Sequence, residues 1–332
     1  MRVIFFGTPD FAVPTLEALA AREDLRPALV VTQPGRPVGR GRRVRQPPVA
    51  VAAEGLGLPV AQPEKASSRV FVDRLRTLWG DEDGPDAAVV VAFGQIFRRR
   101  LLELPRHGCI NLHASLLPRY RGAAPIQAAV AAGDPVTGVT TMRMGRGLDT
   151  GPMLLKGELP IGDDETAPEL APRLAELGAG LMVETLRGLE AGTLEAEPQD
   201  DARSSYAPRL QRQDGEVDWR LDARRIYDRW RAYTPWPGLM GLLRDEPVKL
   251  VEGRPRPAIS KSPARAAEAP APGTVLGVRD GALEVSCGGG TIFGVERLQR
   301  PGKKALAAPD FANGERLRLG ERFAVEAEVG GP

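Results

Sequence analysis

The sequence predicts an α/β protein, a doubly wound and mostly parallel sheet followed by a small all-β barrel. Three observations carry this reading. Short apolar runs alternate with amphipathic segments through the first half of the chain. In the last third the spacing changes to brief alternating runs separated by Gly, Asp or Pro turns. The 332 residues, 42% of them hydrophobic, suffice for two separate cores.

VIFF (3–6), ALVVT (28–32), LPVAQ (58–62), AAVVVAF (87–93) and CINLH (109–113) read as buried parallel strands, being short and apolar along their whole length. PTLEALAAR (14–22), VAVAAEGLG (49–57) and SRVFVDRLRTLW (68–79) have the apolar spacing of crossover helices. Ligands of such a sheet bind beyond the carboxyl ends of its strands. VTGVTTMRMG (136–145) and GPMLLKGELPI (151–161) form a strand pair joined by the turn RGLDTG. Thr166 and Glu169 then have capping-box spacing ahead of a long helical pattern. From 191 to 208 the apolar period is lost and polar residues accumulate, so the expected division is a first domain over 1–190, a linker over 191–208 and a second domain over 209–332. A short helix at 222–233 opens the second domain. LMGLLR, PVKLVE, GTVLGV, ALEVSC and TIFGVERL follow as the strands of the barrel, interrupted by a Pro/Ala-rich excursion at 254–273.

Lys+Arg 45 against Asp+Glu 43 leaves +2, which excludes a uniformly basic coat; any basic surface is local. Cys109 and Cys287 are too few for a disulfide framework and form no CxxC array, so a reducing compartment and no metal are expected. VIFF is too short for a signal core, and no apolar run approaches the roughly 20 residues that span a bilayer, so the expected location is cytoplasmic, with no membrane partner. GTPDFAVPTLEAL, after the first strand, lacks GxGxxG and carries Pro9 and Pro14, which argues against a nicotinamide cofactor. Gly7 suits a tight turn there and Asp10 a cap for the following helix.

Asn111 and His113 stand at i and i+2 at the end of CINLH, on one face of a strand. An imidazole moves protons near neutral pH and a carboxamide donates to a developing oxyanion, as acyl transfer to an amine requires. The same histidine equally suits closing a loop onto main chain. Asp149, in GRGLDTGPM, either orients His113 or serves as ordinary turn chemistry. His107, in a turn, reads as a surface residue. QPGRPVGRGRRVRQPP (33–48) holds Arg36, Arg40, Arg42, Arg43 and Arg45 without an acid; Gly and Pro forbid a long helix, and a projecting loop of guanidiniums suits phosphates. Trp219, Trp230 and Trp236 read as core.

FFGTPDFAVPTLEAL, TQPGRPVGRGRRV, VVVAFGQIF, GCINLHASLLPRYRGAAPIQ and GVTTMRMGRGLDTGPML occur in that order, followed by SYAPRL, VDWRLDARRIYDRWRAYTPWPG and PGKKAL. In these segments, over nearly its whole length, the chain resembles the 10-formyltetrahydrofolate-dependent formyltransferases of the bacterial methionyl-tRNA type. Asn-x-His-x-Ser-Leu-Leu-Pro and Leu-Asp-Thr-Gly are shared across the wider family, whereas Arg-Gly-Ala-Ala-Pro-Ile-Gln and the arginine loop are narrower. The resemblance implies a Rossmann-like formyltransferase domain and a C-terminal barrel of OB type. It implies Asn111, His113 and Asp149 as the catalytic group, and Phe93, Gly94, Ile96, Ser115, Leu116, Leu117 and Pro118 around the pterin of 10-formyltetrahydrofolate. Arg36, Arg40, Arg42, Arg43, Lys303 and Lys304 would bind methionyl-initiator tRNA, in a monomer without metal. Tyr120 stands where the family commonly has tryptophan, Phe97-Arg98 replaces Leu-Pro, and Pro208 replaces a small polar residue. The readings that compete with it are a formyltransferase for a small acceptor such as an amino sugar or a glycinamide ribonucleotide, a hydrolase using water, and a non-catalytic tRNA-binding module.

Overall fold

The computed structural model describes residues 1–38, 43–78, 84–257 and 270–324. They divide into two compact units. The first comprises Met1–Ile126, Pro135–Ile161 and Glu169–Pro208; the second comprises Gln127–Asp134, Gly162–Pro168 and Arg209–Pro332.

In the first unit the expected strands form as β1 (Val3–Gly7), β2 (Pro27–Val31), β5 (Val60–Ala61), β6 (Ala87–Val91) and β7 (Cys109–His113). Between β2 and β5 the arginine-rich segment makes a short antiparallel pair, β3 (Arg36–Val38) and β4 (Arg43–Arg45). The crossover helices are α1 (Val13–Ala20), α2 (Pro48–Gly55), α3 (Arg69–Arg76) and the single turn α4 (Arg99–Leu102). After β7 come β8 (Arg121–Gly122), β9 (Val136–Arg143), β10 (Met153–Pro160), α6 (Ala167–Ala191) and β11 (Tyr206–Ala207), while α5 (Pro125–Ala132), between β8 and β9, falls mostly in the second unit. The sheet order is β10-β9-β7-β6-β1-β2-β5, parallel from β7 to β5, with β9 antiparallel to β7 and β10 antiparallel to β9.

Helices cover both faces of the central strands, which is why Val3 to Phe6 and Ala87 to Val91 are continuously apolar and buried. Phe6 packs edge-on against Phe93 and Phe97, with ring centroids 5.3 and 5.1 Å away. Each such ring contributes about 1.5–3 kcal/mol by leaving water. Ser68 caps α3 by accepting from the Phe71 amide at 3.4 Å. Asp10 does not act as a cap: it opens a 3-10 turn (Asp10–Ala12), and α1 starts without a side-chain cap.

Residues 191–208, expected as a linker, lie against the first unit. Glu197 and Met153 exchange two main-chain hydrogen bonds of 2.8 Å, and β11 pairs in parallel with β8. The pairing relies on polar groups, so it leaves no apolar period to read.

The second unit contains α7 (Ala223–Tyr233) and strands β12 (Leu239–Leu243), β13 (Glu246–Arg256), β14 (Val275–Arg279), β15 (Ala282–Ser286), β16 (Ile292–Gln299) and β17 (Leu306–Ala307), followed by α8 (Ala308–Glu315). The antiparallel order is β12-β13-β16-β15-β14. Residues 320–324 join the two edges: Phe323 bridges Leu243 and Arg322 bridges Thr274, so the sheet closes on itself. Phe323 is fully buried against Trp219 at 5.2 Å. Trp230 packs on the same core, whereas Trp236 is 57% exposed, contrary to the core reading. Asp222 caps α7 through the Arg225 amide. On α7 the buried Arg231 and Asp228 pair at 2.7 Å, and Arg231 also donates to the carbonyls of Gly162 and Glu165, so each guanidinium nitrogen has a partner. Most of the 254–273 excursion, residues 258–269, lies outside the described residues. Among the described residues no helix is long and apolar enough to cross a membrane.

Candidate active site

β7 delivers the site because its parallel register with β6 ends at the carboxyl edge of the sheet, where Asn111 stands opposite Val90. On its other side β7 runs antiparallel to β9, with Asn111 opposite Met142 and His113 opposite Thr140. Asn111 and His113 therefore share a face, about 7 Å apart along the strand. The chain then turns sharply. Thr140 holds the turn: its hydroxyl donates to the Ser115 carbonyl at 2.7 Å and accepts from the Leu117 amide at 3.1 Å. Ser115 itself donates to the Arg119 carbonyl at 2.6 Å.

This winding brings Tyr120, in the left-handed region at φ 58°, back under the imidazole. Its carbonyl lies 2.8 Å from His113 Nε2. A carbonyl only accepts, so Nε2 carries the hydrogen and Nδ1 is free to face elsewhere. Nδ1 faces Asp149, whose Oδ2 is 3.7 Å away. Asp149 is also left-handed, at φ 50°, a conformation that aspartate tolerates. Its Oδ2 accepts from the Gly122 amide at 2.8 Å. Gly122 adopts φ 116°, and a Cβ there would come 2.5 Å from the Ala207 carbonyl, so no side chain fits. His113 is 6% exposed and the Asp149 side chain 17%. The Asn111 side chain makes no hydrogen bond among the described residues, which leaves a carboxamide free at the strand end.

One ring nitrogen of His113 closes a loop onto main chain, and the other faces the Asp149 carboxylate. Sequence reasoning identified Asn111, His113 and Asp149. It missed the Tyr120 carbonyl, the Gly122 amide and the Thr140 hydroxyl, of which only Thr140 acts through a side chain.

The residues expected around a pterin divide. Phe93, Ser115 and Leu117 are buried with partners of their own, Leu117 against Met142 and Met153. The Phe93 carbonyl accepts from Thr8 Oγ and Gln33 Nε2, both at 2.9 Å. Gly94 adopts φ 82°, a left-handed conformation that favours glycine, and a Cβ there would displace the end of the Gln33 side chain. Leu116 and Pro118 lie in the turn after β7, and Ile96 is 85% exposed. At the carboxyl ends of β2 and β6, a cavity of about 380 Å³ is lined by Gln33, Gly35, Arg36, Glu64, Gly94 and Gln95.

Among the residues expected to meet phosphate, Arg36 is exposed and donates to Gln33 at 3.0 Å. Arg43 lies on β4, while Arg40 and Arg42 fall outside the described residues. In the second unit Lys303 and Lys304 are exposed and border a cavity of about 680 Å³ that Arg300, Phe311 and Leu306 also line. His107, expected at the surface, is half-buried. Burial, and then Arg106, lower its pKa, and Nε2 has no hydrogen-bond partner among the described residues.

The profile "Formyl transferase" matches residues 1–186, and "Formyl transferase, C-terminal domain" matches residues 209–316. The chain belongs to the formyl transferase family. Its relatives within that family include proteins named methionyl-tRNA formyltransferase. One from Acidobacterium capsulatum is 50% identical over 319 residues, covering 96% of this chain and 97% of the relative; one from Geobacter metallireducens is 48% identical over 324 residues, covering 97% and 98%. Solved structures share the fold at lower identity. An N-formyltransferase from Helicobacter canadensis, in complex with folinic acid and dTDP-3-aminofucose, superposes with a TM-score of 0.63 at 17% identity, covering 89% of this chain and 98% of its own. HypX from Aquifex aeolicus, in complex with tetrahydrofolic acid, gives 0.57 at 15% identity, covering 97% of this chain and 48% of its own.

Proposed function

We propose that this chain transfers the formyl group of 10-formyltetrahydrofolate to the α-amino group of methionyl-initiator tRNA. The observation that carries the reading is the convergence of His113 and Asp149 beside the free carboxamide of Asn111 at the carboxyl edge of a formyl transferase sheet. Near full-length identity to relatives of that name supports the acceptor. The sugar formyltransferase shares the fold at 17% identity and carries no argument for a sugar acceptor here.

In this reading the neutral α-amine attacks the formyl carbon of the folate substrate. A carbon–nitrogen bond forms to the amine, the bond to the folate nitrogen breaks, and the amine proton ends on that nitrogen. Asn111 donates to the oxygen as it gains charge. The Tyr120 carbonyl holds the Nε2–H of His113, so the ring takes up and passes on a proton at Nδ1. Asp149 faces Nδ1, holds the ring's orientation and carries the proton's path toward the leaving nitrogen. The cavity beside Gly94 and Gln95 follows β6, the strand next to β7 in the sheet order, and in this reading would take part of the folate. The arginines of residues 36–45 and the Lys303–Lys304 pair supply charge for tRNA phosphates.

Substitution of the two strand residues tests the assignment. His113→Ala should lower the rate of formyl transfer about 10²- to 10⁴-fold. Asn111→Ala should lower it about 10²- to 10³-fold, with the KM for methionyl-tRNA little changed. Rates within tenfold of wild type for both variants would remove these residues from the reaction.

A further inference from the structure

The segment first expected to be a linker does something specific at the site. Gln199 Nε2 lies 2.7 Å from the Asp149 carbonyl and 2.7 Å from the Gly151 carbonyl, so one carboxamide nitrogen spends its two hydrogens on either side of the turn that carries the catalytic carboxylate. Its Oε1 accepts from Arg121 Nε at 2.9 Å, which fixes which end of the amide points at the turn. Arg121 is in turn held by Asp201 at 2.8 Å and has a side chain only 12% exposed. Ser205 completes the arrangement: its hydroxyl accepts from the Tyr120 amide at 2.9 Å, and its carbonyl accepts from the Arg121 amide at 2.8 Å. Tyr120 and Gly122, the main-chain partners of His113 and Asp149, therefore both lie in a stretch tied to residues 199–207.

We propose that Gln199, oriented by Arg121, is a positioning residue for formyl transfer: it locks the 149–151 turn so that Asp149 meets His113. Without the clamp, Asp149 keeps a single hydrogen bond, from Gly122, and a turn in the left-handed region is free to relax. The proposal rests on the assignment of Asp149 to the reaction. Displacement of a catalytic group by about 1 Å costs on the order of 10²-fold, so loss of the clamp should lower kcat about 10- to 100-fold.

Gln199→Glu keeps the size and the oxygen facing Arg121 but removes both donors to the turn. Gln199→Met removes all polar atoms at similar volume and introduces no charge. Each is measured for kcat, for KM toward 10-formyltetrahydrofolate and methionyl-tRNA, and for thermal unfolding, alone and combined with Asp149→Asn. The expected result is a fall in kcat of about 10- to 100-fold with both KM values within about twofold and unfolding unchanged, and a much smaller further fall in the Asp149→Asn background, because both changes act through one carboxylate. Should a Gln199 variant unfold early, the combined measurement with the other variant still decides. Equal falls in both backgrounds, raised KM with unchanged kcat, or kcat within twofold of wild type would overturn the proposal. If Asp149→Asn alone leaves kcat intact, the assignment of Asp149 itself fails, a different outcome from failure of the clamp.

Discussion

Asp149→Asn is the perturbation whose consequence follows most directly from the geometry. The substitution removes charge and almost nothing else. An asparagine oxygen can still accept from the Gly122 amide, as Asp149 Oδ2 does at 2.8 Å, and its amide then faces His113 Nδ1. That arrangement keeps the tautomer with hydrogen on Nε2, which the Tyr120 carbonyl already selects. In the proposed reaction, what disappears is the interaction between the carboxylate and the positive charge the ring would take on during proton transfer. Two unit charges about 4 Å apart interact by about 4 kcal/mol at an effective dielectric of about 20. Since about 1.4 kcal/mol is a factor of ten in rate, the ceiling is near 10³. The 17% exposure of the Asp149 side chain admits water and lowers that ceiling, so the expected loss in single-turnover rate is about 10²- to 10³-fold. The assay follows transfer of labelled formyl to methionyl-tRNA at saturating folate, with thermal unfolding measured in parallel. A variant that folds normally and reacts within threefold of wild type would show that the carboxylate's charge plays no part.

Three further outcomes are expected. Replacing Arg36, Arg40, Arg42 and Arg43 with glutamine should weaken binding of methionyl-tRNA and flatten the log–log salt dependence by about 0.7 to 0.9 per lost phosphate contact, read by binding at several salt concentrations; an unchanged slope excludes phosphate contact by this segment. In the second unit the bidentate hydrogen bond from Arg300, at 2.8 and 3.1 Å, holds Glu315 below its ordinary pKa of 4.5. A lowered folded-state pKa means the pair stabilises the fold above that ordinary value and loses its contribution as pH falls through the depressed one. Glu315→Gln should therefore flatten the acid limb of denaturant stability below about pH 4.5, by about 1 kcal/mol at most for a pair this accessible. Burial pushes the thiols of Cys109 and Cys287 up to about 12, so neither should react with iodoacetamide at pH 8 until the chain unfolds, as mass spectrometry would register.

The elements most legible in the sequence are those whose burial dictates their composition. β1, β6 and β7 are covered on both faces and read as unbroken apolar runs, and β9 with β10 shows itself as two runs around a turn. The two-residue strands β8, β11 and β17 are too short for any period, whereas β5 falls inside the apolar run LPVAQ. α8 escaped notice because Pro, Asp, Asn and Gly make up half of APDFANGE and lower its helical propensity; it is held by Phe311 in the barrel core. Closure of the barrel by residues 320–324 depends on two isolated bridges from the chain's last described stretch, a long-range pairing with no local signature. At the site, Asn111 and His113 could be placed together because a strand has period two. The meeting of His113 with Asp149 depends on the β9–β10 turn folding back, which spacing does not encode. The Tyr120 carbonyl and Gly122 amide are main-chain groups that every sequence contains. Gln199 sits among polar residues that resemble any linker, and Arg121 opens the Arg-Gly-Ala-Ala-Pro-Ile-Gln segment 78 residues earlier; only their hydrogen bond shows that they act together.

The central claim is that this strand-end group passes a formyl unit from a folate to the amine of an aminoacylated tRNA. The most direct measurement supplies the purified chain with 10-formyltetrahydrofolate labelled in the formyl group, together with methionyl-initiator tRNA, free methionine or an amino sugar nucleotide, and follows where the label goes. Label recovered as N-formylmethionyl-tRNA, at rates that the small amines do not approach, is the expected result. Label appearing on a small amine or as free formate at rates equal to or above those with methionyl-tRNA would contradict it.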